Sequence, residues 1–140
     1  MGFTLVDDRL TREQAGEVRS PAAEHLGLRL DRFARGVAVY EMPVRAEVCS
    51  PEGIVENGVL TALAEAAMKA AATTIVADDC DPLETRELSA KFERPVRLYE
   101  CVSLRAEAIV MRRDGCCVTI EADVLCNGER VASFASRCAS

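Results

Sequence analysis

The sequence contains one histidine, His25, and no Cys-x-x-Cys pair, and together these absences remove most metal chemistry. A structural zinc site needs four His or Cys ligands at characteristic spacings, and the seven cysteines do not supply them. Cys49, Cys80, Cys101, Cys116, Cys117, Cys126 and Cys138 are odd in number, and several fall within apolar runs. They read as reduced, structural thiols of a cytoplasmic protein. His25 reads as a loop or surface histidine. The N-terminus lacks both the basic start and the apolar stretch of a secretory signal. Positive charge is also short, with a net charge of −6 and a pI of about 4.9, which disfavours non-specific nucleic-acid binding. Repeats, low-complexity tracts and interdomain linkers are missing. The chain therefore reads as one domain over 1–140, with an N-terminal helical segment over 1–21.

What is present is organised around the stretch from Gly53 to Ala77. Gly58 to Ala77 predicts one long helix, in which eight of the twenty residues are Ala and no Pro or Gly follows Gly58. Thr61, Glu65, Lys69 and Thr73 recur every four residues and form one narrow polar stripe, with Thr74 beside it. Nearly everything else on the helix is apolar, so most of its circumference should be buried. A membrane span is excluded by Glu65 and Lys69 at its middle, and by the weak insertion tendency of Ala.

Ahead of that helix, residues 7–19 suggest a short polar helix that Pro21 ends or redirects. Leu26, Leu28 and Leu30 alternate with polar residues, and Gly36 marks a turn, so 26–48 reads as a hairpin. Behind the helix, Asp78 to Pro82 is a loop. Leu83 to Val96 contains Leu88, Ala90 and Phe92 in alternation. Val102, Leu104, Ala106, Ala108 and Val110 alternate in the next segment, and Val118, Ile120, Ala122 and Val124 in the one after. Asp114-Gly115 and Asn127-Gly128 are hairpin signals, and the last strand runs from Glu129 to Cys138. One long helix with five or six antiparallel strands is an α+β layout in which the sheet must curl around the helix. Edge strands of an open sheet invite pairing with another copy.

Gly53-Ile54-Val55-Glu56-Asn57-Gly58-Val59 through Leu63-Ala64-Glu65-Ala66-Ala67 resembles the motif with which hotdog-fold acyl-CoA thioesterases enter their central helix, in particular the phenylacetate-pathway and hydroxybenzoyl-CoA branch. Thr85-Arg86-Glu87-Leu88 through Phe92-Glu93-Arg94-Pro95 is similar to a second family strand, and Val131 to Ser136 to the closing one. The likeness covers roughly residues 22 to 138.

The resemblance implies a hotdog fold, an acyl-CoA substrate and a homodimer or dimer of dimers with the site near a neighbouring chain. It implies no metal or redox cofactor, coenzyme A entering only as part of the substrate. By the motif, the Asn57 backbone N–H polarises the thioester oxygen, Gly58 permits close approach, and Glu65 is the nucleophile or general base. Unpaired N–H groups and partial positive charge at a helix start suit that task whatever the family. Ser50 falls where the family positions water or substrate, and Thr61 and Lys69 share the stripe with Glu65. Arg112 and Arg113 are candidates for coenzyme A phosphates. Glu56 replaces the family's His and sets a negative charge beside the oxyanion position. That departure keeps a second reading open, a protein that binds or senses acyl-CoA without hydrolysing it. A hotdog hydratase is disfavoured because no Asp/His pair has suitable spacing.

Overall fold

The computed structural model describes residues 20–76 and 78–140. The polar helix expected over 7–19 lies outside them, as does Ala77. A short helix α1 (Pro21–Leu26) leads into strands β1 (Arg29–Ala34) and β2 (Val37–Pro43). The long helix α2 (Asn57–Val76) follows, and then β3 (Glu84–Phe92), β4 (Ser103–Asp114), β5 (Cys117–Cys126) and β6 (Glu129–Ala139). The six strands form one sheet in the order β1-β2-β4-β5-β6-β3, every pair antiparallel.

That sheet curls around α2, which packs chiefly against β4, β2 and β5. Leu60, Leu63, Met68 and Val76 are buried, and so are the alanines at 64, 66, 67, 70, 71 and 72. Small side chains let the strands close in on the helix, as its apolar circumference predicts. The inward residues of β4 and β5, Leu104, Ala106, Ala108, Val118, Ile120, Ala122 and Val124, complete the core. Thr74 and Ser136 are the buried polar residues among those described, and Thr74 links two elements. Its buried hydroxyl donates to the Ala71 carbonyl at 2.7 Å and accepts from the Gly36 N–H at 2.7 Å. Gly36 turns the β1–β2 hairpin at φ +78°, and a Cβ there would meet Ile75 at 3.2 Å. One threonine thus ties the end of α2 to the tip of a hairpin.

Several expectations need correction. The helix that Pro21 is expected to end lies outside the described residues, and Pro21 itself starts a helix, α1. Ser20 caps it by accepting from the Ala23 N–H at 3.1 Å, and Pro stands where its missing N–H costs nothing. His25 therefore sits in the last turn of α1, where its carbonyl accepts from Arg45, and β1 begins at Arg29 rather than Leu26. The alternation in β3 suggests one buried face, yet the strand is exposed almost throughout. It lies at the sheet edge, paired only with β6, and α2 scarcely reaches it. Strands β4, β5 and β6 form the expected meander, while β3 crosses to the far edge. Val102 precedes β4 and is 88% exposed, so it does not continue the inward row. Cys80 and Cys116 form a disulfide between the loop after α2 and the β4–β5 turn, so these two are not reduced thiols. The hairpin signals fared better. Asn127 and Gly128 both take positive φ, +51° and +82°, as a two-residue turn between twisted strands requires.

Candidate active site

The loop leading into α2 is held by a short series of backbone bonds. Ser50 N–H donates to Ile54 O at 2.8 Å, Val55 N–H to Val96 O at 2.9 Å and Glu56 N–H to Val48 O at 3.1 Å. Leu60 N–H donates to Glu56 O at 3.2 Å, so Glu56 caps the helix and Asn57 is its first helical residue. The helix begins one residue earlier than the sequence predicts. The N–H groups of Asn57 and Gly58 point out of the first turn, where no helical partner exists. They find no acceptor among the described residues. Both residues are exposed, and a Cβ added at Gly58 meets nothing within 4 Å. The first turn therefore offers two free donors and open space in front of them. Ser50 lies in the turn behind, where its hydroxyl accepts from Ile54 N–H at 3.4 Å. Glu56 is exposed beside the donors.

From that end a stripe left uncovered by the sheet runs down the helix. Thr61 and Thr73 are half-buried and return their hydroxyls to the carbonyls four residues back, both at 2.8 Å. Their polarity is absorbed locally. Glu65 is half-buried and has no hydrogen bond or ion pair among the described residues. Lys69, one turn on, reaches instead to Glu84 at the start of β3, 4.0 Å away. A cavity of about 240 Å³ opens beside these two, walled by Ala23, Leu26, Leu28 and Ala62. That exceeds the roughly 150 Å³ in which an apolar cavity holds benzene. Sequence reasoning missed the α1 wall; Ser20-Pro21, an N-cap followed by proline, is the signal that gives it away. Cys138 lies close enough to feel the charges of Glu65 and Lys69. Burial raises its thiol pKa, so it is no ready nucleophile.

Two features separate the residues that the motif groups together. Asn57 and Glu65 are eight residues apart, about 12 Å along the helix axis. A carbonyl oxygen held at hydrogen-bond distance from one is out of the other's reach within a single chain. Arg112 and Arg113 lie at the opposite end of α2. Arg113 donates to Ile75 O at 3.1 Å and to Gly115 O at 2.8 Å and pairs with Asp79 at 3.0 Å, while Arg112 pairs with Asp114 at 2.9 Å. They clamp the helix end and the β4–β5 turn, far from the free donors of their own chain. No group of three or more His, Cys, Asp or Glu among the described residues could hold a metal ion.

The helix start and the polar stripe fall within a known family profile. The thioesterase superfamily matches residues 52–132, more than half of the chain and all of α2. The chain belongs to the thioesterase superfamily. The fold is the hotdog fold, and proteins of phenylacetic acid degradation are among the solved structures that share it. The chain is 27% identical to AziG of S. sahachiroi, with a TM-score of 0.79 over 86% of this chain and 96% of that one. A mutant form of the phenylacetic acid degradation protein PaaI from Thermus thermophilus is 26% identical, with a TM-score of 0.76 over 86% and 98%. The PaaI protein of E. coli, 19% identical at a TM-score of 0.78 over 91% and 95%, shares the fold. No curated protein matches the thioesterase significantly.

Proposed function

We propose that this thioesterase hydrolyses acyl-CoA and that each of its sites is built from two chains. The observation that carries this reading is the first turn of α2, whose two N–H donors find no acceptor among the described residues, together with a carboxylate on the same uncovered stripe that has no partner among them either. Because about 12 Å of helix separates Asn57 from Glu65, one carbonyl needs the donor of one chain and the carboxylate of another. Two copies related by a two-fold axis, with their α2 stripes antiparallel, satisfy this twice. The exposed edge strand β3 gives such a pair a place to continue its sheet.

In this arrangement the thioester oxygen accepts from Asn57 N–H, with Gly58 leaving room for the chain behind it. Glu65 takes the proton from a water as that water's oxygen bonds to the carbonyl carbon. Charge moves onto the oxygen facing the donors, and collapse of the tetrahedral species breaks the C–S bond. The thiolate leaves and is protonated as coenzyme A. Attack by the Glu65 carboxylate itself is the covalent variant of the same step. The acyl group occupies the cavity between α1 and α2, with Lys69 at its rim and Thr61 and Ser50 lining the approach. Glu56 supports the second reading, since its negative charge opposes an oxyanion at the first turn while leaving a bound thioester undisturbed.

A panel of acyl-CoA substrates, followed by thiol release, tests the proposal. Turnover that falls by at least about 10²-fold in Glu65→Gln, with folding intact, supports hydrolysis. Tight binding of an acyl-CoA with no turnover of any would replace the enzyme by the binding protein.

A further inference from the structure

Residues 97–100 form a turn that the chemistry above does not use. Glu100 N–H donates to Arg97 O at 3.0 Å, and the Glu100 carboxylate accepts from Arg97 N–H at 3.1 Å. Tyr99 stands at the third position with φ +71°. A left-handed backbone there suits glycine, and for a bulky side chain it is a true outlier that neighbouring structure must enforce. Here the enforcing residue is Glu100. Its carboxylate pairs with Arg94 at 2.6 Å and accepts from Cys126 at 3.5 Å, and its carbonyl accepts from the Asn127 amide at 3.0 Å. Yet the tyrosine held so firmly is 91% exposed, so packing within the chain gives nothing back for the strain. Its ring is fixed outward, toward something outside the chain.

The turn is also stitched to the loop before the candidate site. Leu98 N–H donates to Gly53 O at 2.8 Å, and Arg97 bridges to Ile54. Gly53 precedes Asn57 by four residues, at most about 14 Å of extended chain, so the turn and the free donors occupy one end of the molecule. Two residues before the ring, the exposed Arg97 guanidinium has no hydrogen bond or ion pair among the described residues. An unpaired guanidinium and a solvent-facing aromatic ring suit a phosphate and a base. We infer that this turn receives the nucleotide end of coenzyme A, with the adenine stacked on Tyr99 and a phosphate paired with Arg97. The inference rests on the acyl-CoA reading, and the pantetheine arm covers the span between the turn and the first helical residues.

The chain has no tryptophan and two tyrosines, of which Tyr40 is fully buried, so tyrosine emission reports a ligand reaching Tyr99. Adenosine 3′,5′-bisphosphate should quench it, and pantetheine should not. Tyr99→Gly should weaken bisphosphate binding, followed by calorimetry, while leaving thermal stability equal or higher, because glycine relieves the left-handed backbone. With one acyl group on two carriers, Tyr99→Gly and Arg97→Ala should raise KM for the acyl-CoA about tenfold and spare kcat. KM for the acyl-pantetheine should not move, and Tyr99→Phe should behave as the parent. Equal bisphosphate affinity in parent and Tyr99→Gly would overturn the inference. So would equal parent KM for the two carriers, which leaves hydrolysis itself standing. Loss of self-association in Tyr99→Gly with unchanged nucleotide affinity would overturn it in favour of a subunit contact. If neither carrier is hydrolysed, the hydrolysis reading fails, and the bisphosphate titration still decides the turn.

Discussion

Lys69 Nζ stands 4.0 Å from the Glu84 carboxylate on β3, although Glu65 precedes it by a single helical turn. The pair is long, and its two side chains are 36% and 67% exposed, so it holds little energy. Lys69→Ala should change the free energy of unfolding by less than about 1 kcal/mol in denaturant melts. Its effect should appear in KM, because the ammonium group lies at the rim of the cavity proposed for the acyl group. A large loss of stability with unchanged KM would make Lys69 a structural partner instead.

Thr74 makes the opposite case. Its hydroxyl is buried and satisfies both the Gly36 N–H and the Ala71 carbonyl. Thr74→Val keeps the shape and strands the Gly36 donor, which should cost about 1–3 kcal/mol, whereas Thr74→Ser should cost less. Equal stability of parent and Thr74→Val in urea would remove the tie between helix and hairpin.

The turn at 97–100 carries a pH signature. The hydrogen bond from Arg94 is the main reason that the Glu100 carboxyl is held down to about 2, from an ordinary value of 4.5. As pH falls, the unfolded chain takes up the proton first, so the stability supplied by Glu100 is complete above about 4.5 and is lost between there and about 2. The unfolding free energy of the parent should fall with pH across this window more steeply than that of Glu100→Gln. Parallel curves would show that the pair contributes nothing.

Much of this architecture is legible in the sequence because period and composition act locally. The alanine-rich run forces a buried helix, the alternation in β4 and β5 fixes their inward faces, and Asn127-Gly128 can scarcely be anything but a hairpin. What stayed hidden depends on partners distant in the chain. Leu88 and Phe92 alternate like core residues, but β3 falls at the sheet edge, where only β6 meets it. The link between Cys80 and Cys116 brings together a loop and a turn whose proximity follows from the fold rather than from spacing. Tyr99 is an ordinary tyrosine in the sequence, and its backbone angle is imposed by Glu100, Arg94 and Asn127. Of the candidate site, Glu65 stands out from the helix alone and Asn57 and Gly58 come from the resemblance, whereas the distance between them becomes a problem only once the helix is seen to be unbroken.

That distance is the centre of the account, and mixing two inactive variants measures it. Asn57 is the first helical residue, where proline is tolerated, so Asn57→Pro deletes the donor N–H and keeps the helix. Glu65→Gln removes the base. Each alone should lose at least about 10²-fold in kcat. In a mixed dimer one site carries both lesions and the other carries neither. Subunits unfolded together in equal amounts and refolded should therefore regain about a quarter of the parent's acyl-CoA hydrolysis at statistical pairing. A mixture as inactive as its components would place Asn57 and Glu65 at the same carbonyl within one chain, or neither at any, and would contradict the two-chain site.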